Sequence, residues 1–337
     1  MSEGHTIANK KGRQQVVNSS VKARGPGFAQ PTPLRPRRRG GVRLMGNGPK
    51  VKRWEVPYLL LLPVGLFLAV FSLFPFVWAL AISVQPPLKA STGTITGFTR
   101  ANFRSVLTDP ATVHSIVTTL KYSLISTALC ICFSLATALA LKTITRGSSA
   151  YQAFLLIPLT LAPPVVVILW RALFEPTSGA VNGVLGHLGI PAQGFYESPH
   201  QALYVLIAMS VWTNVGFWTL VMLSDLSVIS TEIFEAAEID GAGAFRMLMS
   251  ITLPLLKRTI LLASVVLTTA GLVVFIPAQL LTEGGPGDAT NFLMYTAAED
   301  VLRYGDPGSA NATVVIILLL IAALAATQFR LLGRDNA

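Results

Sequence analysis

Six stretches of this chain run for about twenty residues or more without Asp, Glu, Lys or Arg: 56 to 88, 122 to 141, 151 to 170, 201 to 224, 259 to 282 and 307 to 329. All are dense in Leu, Val, Ile, Ala and Phe. A helix needs about 20 apolar residues to cross a hydrocarbon core of ~30 Å, and a charge at its centre costs about 2.5 to 3.5 kcal/mol on insertion scales. The pattern therefore predicts an all-α membrane protein with spans near 57–84, 120–142, 151–171, 202–224, 259–281 and 309–330. A seventh charge-free window, 176 to 196, holds five glycines and two prolines and would insert poorly. It reads as a loop, and Val181, Val184, Leu185 and Leu188 recur in it at the spacing of a short amphipathic helix lying on the membrane surface.

Composition adds a sidedness. The 337 residues are 52% hydrophobic and 12% charged, with 26 Lys+Arg against 16 Asp+Glu, a formal charge of +10. Residues 1 to 56 carry 13 basic and 2 acidic side chains, and the remaining residues carry 13 and 14. The charge thus belongs to a tail, which excludes a soluble nucleic-acid-binding domain for the body. Cys130 and Cys132 lie inside an apolar run, which excludes a disulfide-built secreted fold. The tail, residues 1–55, is rich in Pro, Gly and Arg and too poor in apolar residues to build a core, so it is expected to be disordered. The run Lys50-Val51-Lys52-Arg53 abuts the first span, which places the tail and both termini in the cytoplasm, close to anionic lipids. That orientation puts 20 Lys+Arg inside and 6 outside. Polar loops then fall outside at 89–121, 171–200 and 283–306, and inside at 142–150 and 225–258. A cleaved signal peptide ending at Ala79-Leu80-Ala81 is the rival reading, but the apolar run before it is too long for a signal core.

Several chemistries are missing from the sequence. There is no G-x-x-x-x-G-K-[ST] to cradle a nucleotide phosphate. His5, His114, His187 and His200 have no partners at metal-ligand spacing. No ionisable residue falls in the central turns of a span, where ion-coupled carriers usually place one.

The informative stretch is the second inner loop, 231–258. It runs Glu235-Ala236-Ala237-Glu238-Ile239-Asp240-Gly241, then nine residues, then Ile251-Thr252-Leu253-Pro254. The pattern predicts two short helices around a break at Gly241 and Gly243, the first with an acidic start at Glu232, Glu235 and Glu238. Such a pair with an apolar face suits docking to a partner helix or groove, or rest on the bilayer.

The spacing E-A-A-x-x-x-G-x(9)-I-x-L-P resembles the cytoplasmic coupling motif of ABC importer permeases. A chance match is on the order of 10⁻⁸ per window at average composition. The resemblance covers Val56 to about Leu332, with a family core near 116–330, and narrows to the sugar and glycerol-phosphate branch. Asn102-Phe103 with Asp109-Pro110, and Leu281-Thr282-Glu283-Gly284-Gly285-Pro286, look like stretches of that branch. So do Arg146-Gly147-Ser148, Tyr151-Gln152, Leu169-Trp170 and Gln328-Phe329-Arg330. The resemblance implies a six-helix permease of the type I importer fold in the cell membrane, with no catalytic residues and no metal or cofactor of its own. ATP and Mg would be bound by a partner. The implied partners are a second permease in a pseudo-two-fold pair, two ATPase subunits and an extracytoplasmic solute-binding protein. Glu235, Ala236, Ala237, Asp240, Gly241, Ile251, Leu253 and Pro254 become the coupling residues by position.

A solute path needs polar groups among apolar helices, which are tolerated where they face other helices or a wet cavity. The fourth span offers Trp212, Thr213, Asn214 and Trp218. Pro158, Pro163 and Pro164 in the third span, and Pro277 with Gln279 in the fifth, would break helices and open backbone carbonyls. Arg171, at the outer end of the third span, is a candidate to attract a phosphate. For each of these, helix packing or interfacial anchoring is the competing role. An ion-coupled carrier and a membrane scaffold without transport remain the functions from other classes.

Overall fold

The computed structural model describes residues 56–86, 97–144 and 146–332. The basic tail, its lipid contacts and the start of the first outer loop lie outside the described residues. Among those described, every regular element is helical. Four runs are long and apolar enough to cross a membrane alone, and two bent helix pairs bring the number to six.

The first run joins Val56–Leu68 (α1) through a π-helical turn, Ala69–Leu73, to Phe74–Ser83 (α2). It is the least buried of the four, and Leu66, Phe67, Phe71 and Phe74 are exposed along it. Ala101–Thr108 (α3) follows, and buried Asn102 ties it to the end of α2 by donating to the carbonyls of Ser83 (2.9 Å) and Gln85 (2.8 Å).

The second span starts about ten residues earlier than the charge-free window. Pro110–Thr143 (α4) has 34 residues, or about 50 Å at the helical rise, against a core of ~30 Å. Capping sets this start. The Asp109 carboxylate accepts from the Thr112 amide (2.9 Å) and hydroxyl (2.7 Å), and Pro110 takes the first helical position, where its missing N–H costs nothing.

The third span is two helices, Ser148–Thr160 (α5) and Pro163–Leu173 (α6), bent by 98°. Pro163 and Pro164 have no N–H to offer the carbonyls of Leu159 and Thr160, and Ala162 before them is extended. Ala180–His187 (α7) is the short helix expected in the following loop. The fourth span, Ala202–Val228 (α8), is uninterrupted over 27 residues.

The loop after α8 carries Thr231–Ile239 (α9) and Ala244–Met247 (α10). A π-helical turn, Leu248–Thr252, leads from α10 to Leu253–Leu255, and a 71° elbow at Leu256 leads into Lys257–Leu272 (α11). The fifth span, expected as one helix to about residue 281, stops at Leu272. Pro277 withholds a donor from the Val273 carbonyl, and the chain resumes only as a π-helical turn, Ala278–Thr282.

The stretch 283–306, read from sequence as an outer polar loop, contains a helix with a buried face, Leu293–Leu302 (α12). Phe292 and Leu293 are fully buried. The Leu293 amide donates to Thr119 Oγ1 (2.9 Å), and the hydroxyls of Thr296 and Ser115 lie 3.2 Å apart, so α12 docks on the N-terminal half of α4. Charges at Glu299, Asp300 and Arg303 disguise this short apolar run in the sequence. Pro307–Leu332 (α13) is the last span and packs on α2, α3, α11 and α12.

The centre is α4 laid along α8 and α11. Small polar residues line the buried side of α4: Ser115 and Thr119, which meet α12, and Ser123, Ser126, Cys130 and Ser134 form one stripe at intervals of three or four residues. Ser123 Oγ donates to the Thr268 carbonyl (2.8 Å) and Ser134 Oγ to the Val215 carbonyl (3.1 Å). A Cβ on Gly271 would lie 2.8 Å from Ser123 Cα, and one on Gly216 would lie 1.8 Å from the Leu155 carbonyl oxygen. The helices approach as closely as backbone allows, as expected where apolar burial does not drive them together.

Candidate functional site

Two places in this bundle carry chemistry, and both are built on helix ends. The first is the hairpin of α9 and α10. Ser230 caps α9 by accepting from the Glu232 amide (3.3 Å). At the other end the Gly241 amide donates to the Glu238 carbonyl (3.0 Å) and the Ala242 amide to the Ala237 carbonyl (2.9 Å). These two bonds close the helix in a Schellman arrangement, which needs a left-handed residue at Gly241. Its φ is +76°. The interval from Ala237 to Gly241 in the sequence motif is thus the length of one helix stop. Gly243, grouped with Gly241 from the sequence, has a φ of −71° and makes no such demand.

The hairpin exposes Glu235, Ala236, Asp240, Gly241 and Pro254, with Ala237, Ile251 and Leu253 half-buried. Ile239 is 87% and Phe245 73% exposed, a large apolar offering on an element flanked by charge. One contact that the sequence did not disclose ties the hairpin to the spans, and another braces the spans beneath it. The Lys142 ammonium at the end of α4 sits 4.2 Å from the centre of the Phe234 ring in α9. Below the hairpin, the Thr259 hydroxyl of α11 donates to the Asp225 carboxylate of α8. A cavity of about 750 Å³ lies between α4 and the hairpin, with Lys142, Phe234, Phe245 and Leu248 on its walls.

The second place is a cavity of about 200 Å³ in the middle of the bundle. Both interrupted spans reach it, through Leu161 and Pro163 on one side and Val274 and Pro277 on the other. Its polar wall is Tyr122, Ser126, Ser210, Thr213 and Asn214. Thr213 Oγ1 donates to the Met209 carbonyl (2.9 Å) and Asn214 Nδ2 to the Ser210 carbonyl (2.8 Å).

Of the residues singled out from sequence, Thr213 and Asn214 meet here. Trp212 packs instead in an aromatic cluster, its ring centre 6.0 Å from that of Trp170. Trp218 is buried in a separate apolar cluster with Met222, Leu226 and Leu256. Gln279 is exposed and lies off the cavity wall. Arg171 lines a different cavity of about 310 Å³, at the end of the bundle away from the hairpin, with Tyr196, Glu197, Thr282 and Glu283. Burial, and then the charges of Glu197 and Glu175, push the Tyr196 phenol above its ordinary pKa. Tyr122, Ser126 and Ser210 went unnoticed in the sequence. The Ser/Thr interval of three or four along α4 was the available signal.

Comparisons with known proteins agree on the family. The model of the binding-protein-dependent transport system inner membrane component matches residues 131–334. The sn-glycerol-3-phosphate transport system permease protein UgpA of Yersinia pestis bv. Antiqua (strain Antiqua) is 33% identical over 282 residues, 83% of this chain and 94% of that protein. The trehalose/maltose transport system permease protein MalF of Thermococcus litoralis is 29% identical over 277 residues, 81% and 92% of the two chains. A chain in the crystal structure of a bacterial ABC transporter involved in the import of the acidic polysaccharide alginate superposes with a TM-score of 0.73. It is 21% identical, covers 85% of this chain and 98% of its own, and so supports the fold alone.

Proposed function

The chain belongs to the family of binding-protein-dependent transport system inner membrane components, and from that premise we propose that it is the membrane-spanning permease subunit of an ATP-driven importer. A separate ATPase binds and hydrolyses ATP with Mg, a second permease completes the path, and an extracytoplasmic binding protein delivers a small polar solute. The named relatives make sn-glycerol-3-phosphate or a sugar such as trehalose or maltose the solute classes to consider, with a glycerophosphodiester or another oligosaccharide as their chemical kin.

The observation that carries this reading is the exposed α9–α10 hairpin, locked at Gly241 and joined at two points to the near end of the cavity-lining bundle. A push on the hairpin travels along two routes. One passes from Phe234 to Lys142 and the end of α4. The other passes through the elbow at Leu256, which is buried and so resists local yielding, into α11. Sixteen residues along, about 24 Å at the helical rise, α11 ends beside Gly271 and Val274 on the cavity wall. Movement of the hairpin in an ATPase groove therefore moves the solute cavity, which is the requirement of alternating access. Glu235, Ala236, Ala237, Asp240, Gly241, Ile251, Leu253 and Pro254 form the coupling element in this account.

The test is uptake into vesicles containing this chain with its partners. Uptake should follow ATP and vanish with Gly241→Asp at unchanged membrane levels. Uptake driven by an ion gradient without any ATPase would overturn the proposal.

A further inference from the structure

We propose that the path through this chain selects against phosphorylated and other anionic solutes and takes a neutral, hydroxyl-rich one, a sugar or polyol, through hydrogen-bond acceptors presented by Thr213 and Asn214. This rests on the permease reading above and narrows its solute class.

The first observation is where the donors of the central cavity are already spent. A threonine hydroxyl has a single proton, and that of Thr213 is given to the Met209 carbonyl at 2.9 Å. Asn214 gives one amide proton to the Ser210 carbonyl at 2.8 Å. The capacity these two side chains keep for a solute is dominated by acceptors, the Thr213 oxygen and Asn214 Oδ1. A phosphate monoester near neutral pH is itself almost entirely acceptor and doubly charged. It would meet acceptors with acceptors, and none of the described residues on this cavity wall carries a charge to compensate it. A sugar hydroxyl brings a proton to each acceptor and accepts in return from Tyr122 or Ser210, the Ser126 proton being already given to the Ser123 carbonyl (3.3 Å).

The second observation concerns the mouth. Arg171 has the guanidinium fork that suits phosphate, but it shares its cavity with the carboxylates Glu197 and Glu283, so the described charges lining that cavity sum to −1. Glu283 is held there by the backbone: it has a φ of +50° and is followed by Gly284 at +78°. An anion entering at this end meets a net negative site before a neutral one.

The experiment uses the whole transporter in ATP-loaded proteoliposomes, offered radiolabelled glucose, maltose, trehalose and glycerol as neutral probes and sn-glycerol-3-phosphate and glucose 6-phosphate as anionic ones. Uptake of at least one neutral probe is expected to exceed that of either anion by about tenfold or more, the discrimination available to a site built around hydrogen bonds. Thr213→Val, which removes the acceptor, should lower the favoured uptake by about tenfold, and Thr213→Ser should restore most of it. The selectivity of the unaltered protein is the primary readout and does not depend on either variant folding. ATP-dependent uptake of an anionic probe at or above the neutral ones overturns this inference and leaves the permease reading standing. Uptake independent of ATP, or no uptake of any probe, removes the permease reading and this inference with it.

Discussion

The α9–α10 hairpin and the bundle of α4, α8 and α11 are made of similarly apolar helices, yet they are held together by opposite means. The hairpin leaves Ile239 and Phe245 mostly exposed and is shaped by local bonds, the Ser230 cap and the paired amides of Gly241 and Ala242. The bundle buries serines, threonines and glycines and is shaped by contacts between distant segments, such as Ser123 with Thr268 and Ser134 with Val215. In the hairpin the functional feature is an outer surface, which needs only its own few residues to stay in register. In the bundle it is a void, which exists because two spans break where they meet the others.

The largest effect expected from this contrast is in the bundle. Gly216→Val places its Cβ 1.8 Å from the Leu155 carbonyl oxygen, where no side chain can move aside and α5 must leave α8. Destabilisation at or beyond the ~3 kcal/mol upper end of ordinary overpacking follows. Membrane-inserted protein should be nearly absent on quantitative blotting, and normal levels would contradict the close packing described here.

In the hairpin the corresponding glycine acts by conformation, since a Cβ on Gly241 meets nothing within 4 Å. Gly241→Val forces an L residue into the left-handed region at about 1 to 2 kcal/mol. Membrane levels should hold while ATP-dependent uptake falls by about tenfold or more. Equal loss of protein and of uptake would erase the distinction between the two regions.

Smaller effects test local chemistry at the end of the bundle away from the hairpin. Asp109→Ala removes the cap of α4 and should cost about 1 kcal/mol, read as a lower unfolding midpoint in detergent. The smallest expected change concerns Asp300 in α12, whose pKa is pushed up to about 6 by burial and then by Asp306, Asp109 and Glu299. A raised carboxyl means that the fold disfavours the charged form. Stability contributed here is greatest below the ordinary value of 3.8, declines as pH rises through about 6, and is flat above. Asp300→Asn should flatten the fall in unfolding midpoint between pH 4 and 7. Asp109, whose pKa the Thr112 hydroxyl lowers, acts in the opposite sense and loses its contribution as pH falls.

Much of this was legible in the chain. Five of the six charge-free windows each correspond to a helical run or a broken pair, the other, 259 to 282, outruns α11 by ten residues, and the motif from Glu235 to Pro254 marked the hairpin. Asp109-Pro110, part of the family resemblance in the sequence, is also the physical start of α4. Other features stayed hidden for stated reasons. Charges at Glu299, Asp300 and Arg303 concealed the buried face of α12, because burial there is decided by the projecting end of α4 far away in sequence. Trp212 and Trp218 stood out as polar-tipped residues in a span, but the structure turns both into apolar clusters and leaves Thr213 and Asn214 to the cavity.

The sequence by itself determined where the chain can lie in a hydrocarbon core, where its helices start and stop, and how the hairpin closes. These depend on charge, capping groups and proline or glycine backbone, all of which act over a few residues. Tertiary structure alone decided that the break at Pro163-Pro164 turns by 98° and the elbow at Leu256 by 71°. It alone decided that Tyr122, Ser210 and Asn214 share one wall. A proline removes a hydrogen bond without choosing the direction of the bend, and a serine stripe permits close approach without naming the helix that approaches. Those choices come from the packing of segments up to 181 residues apart, as between Ser115 and Thr296.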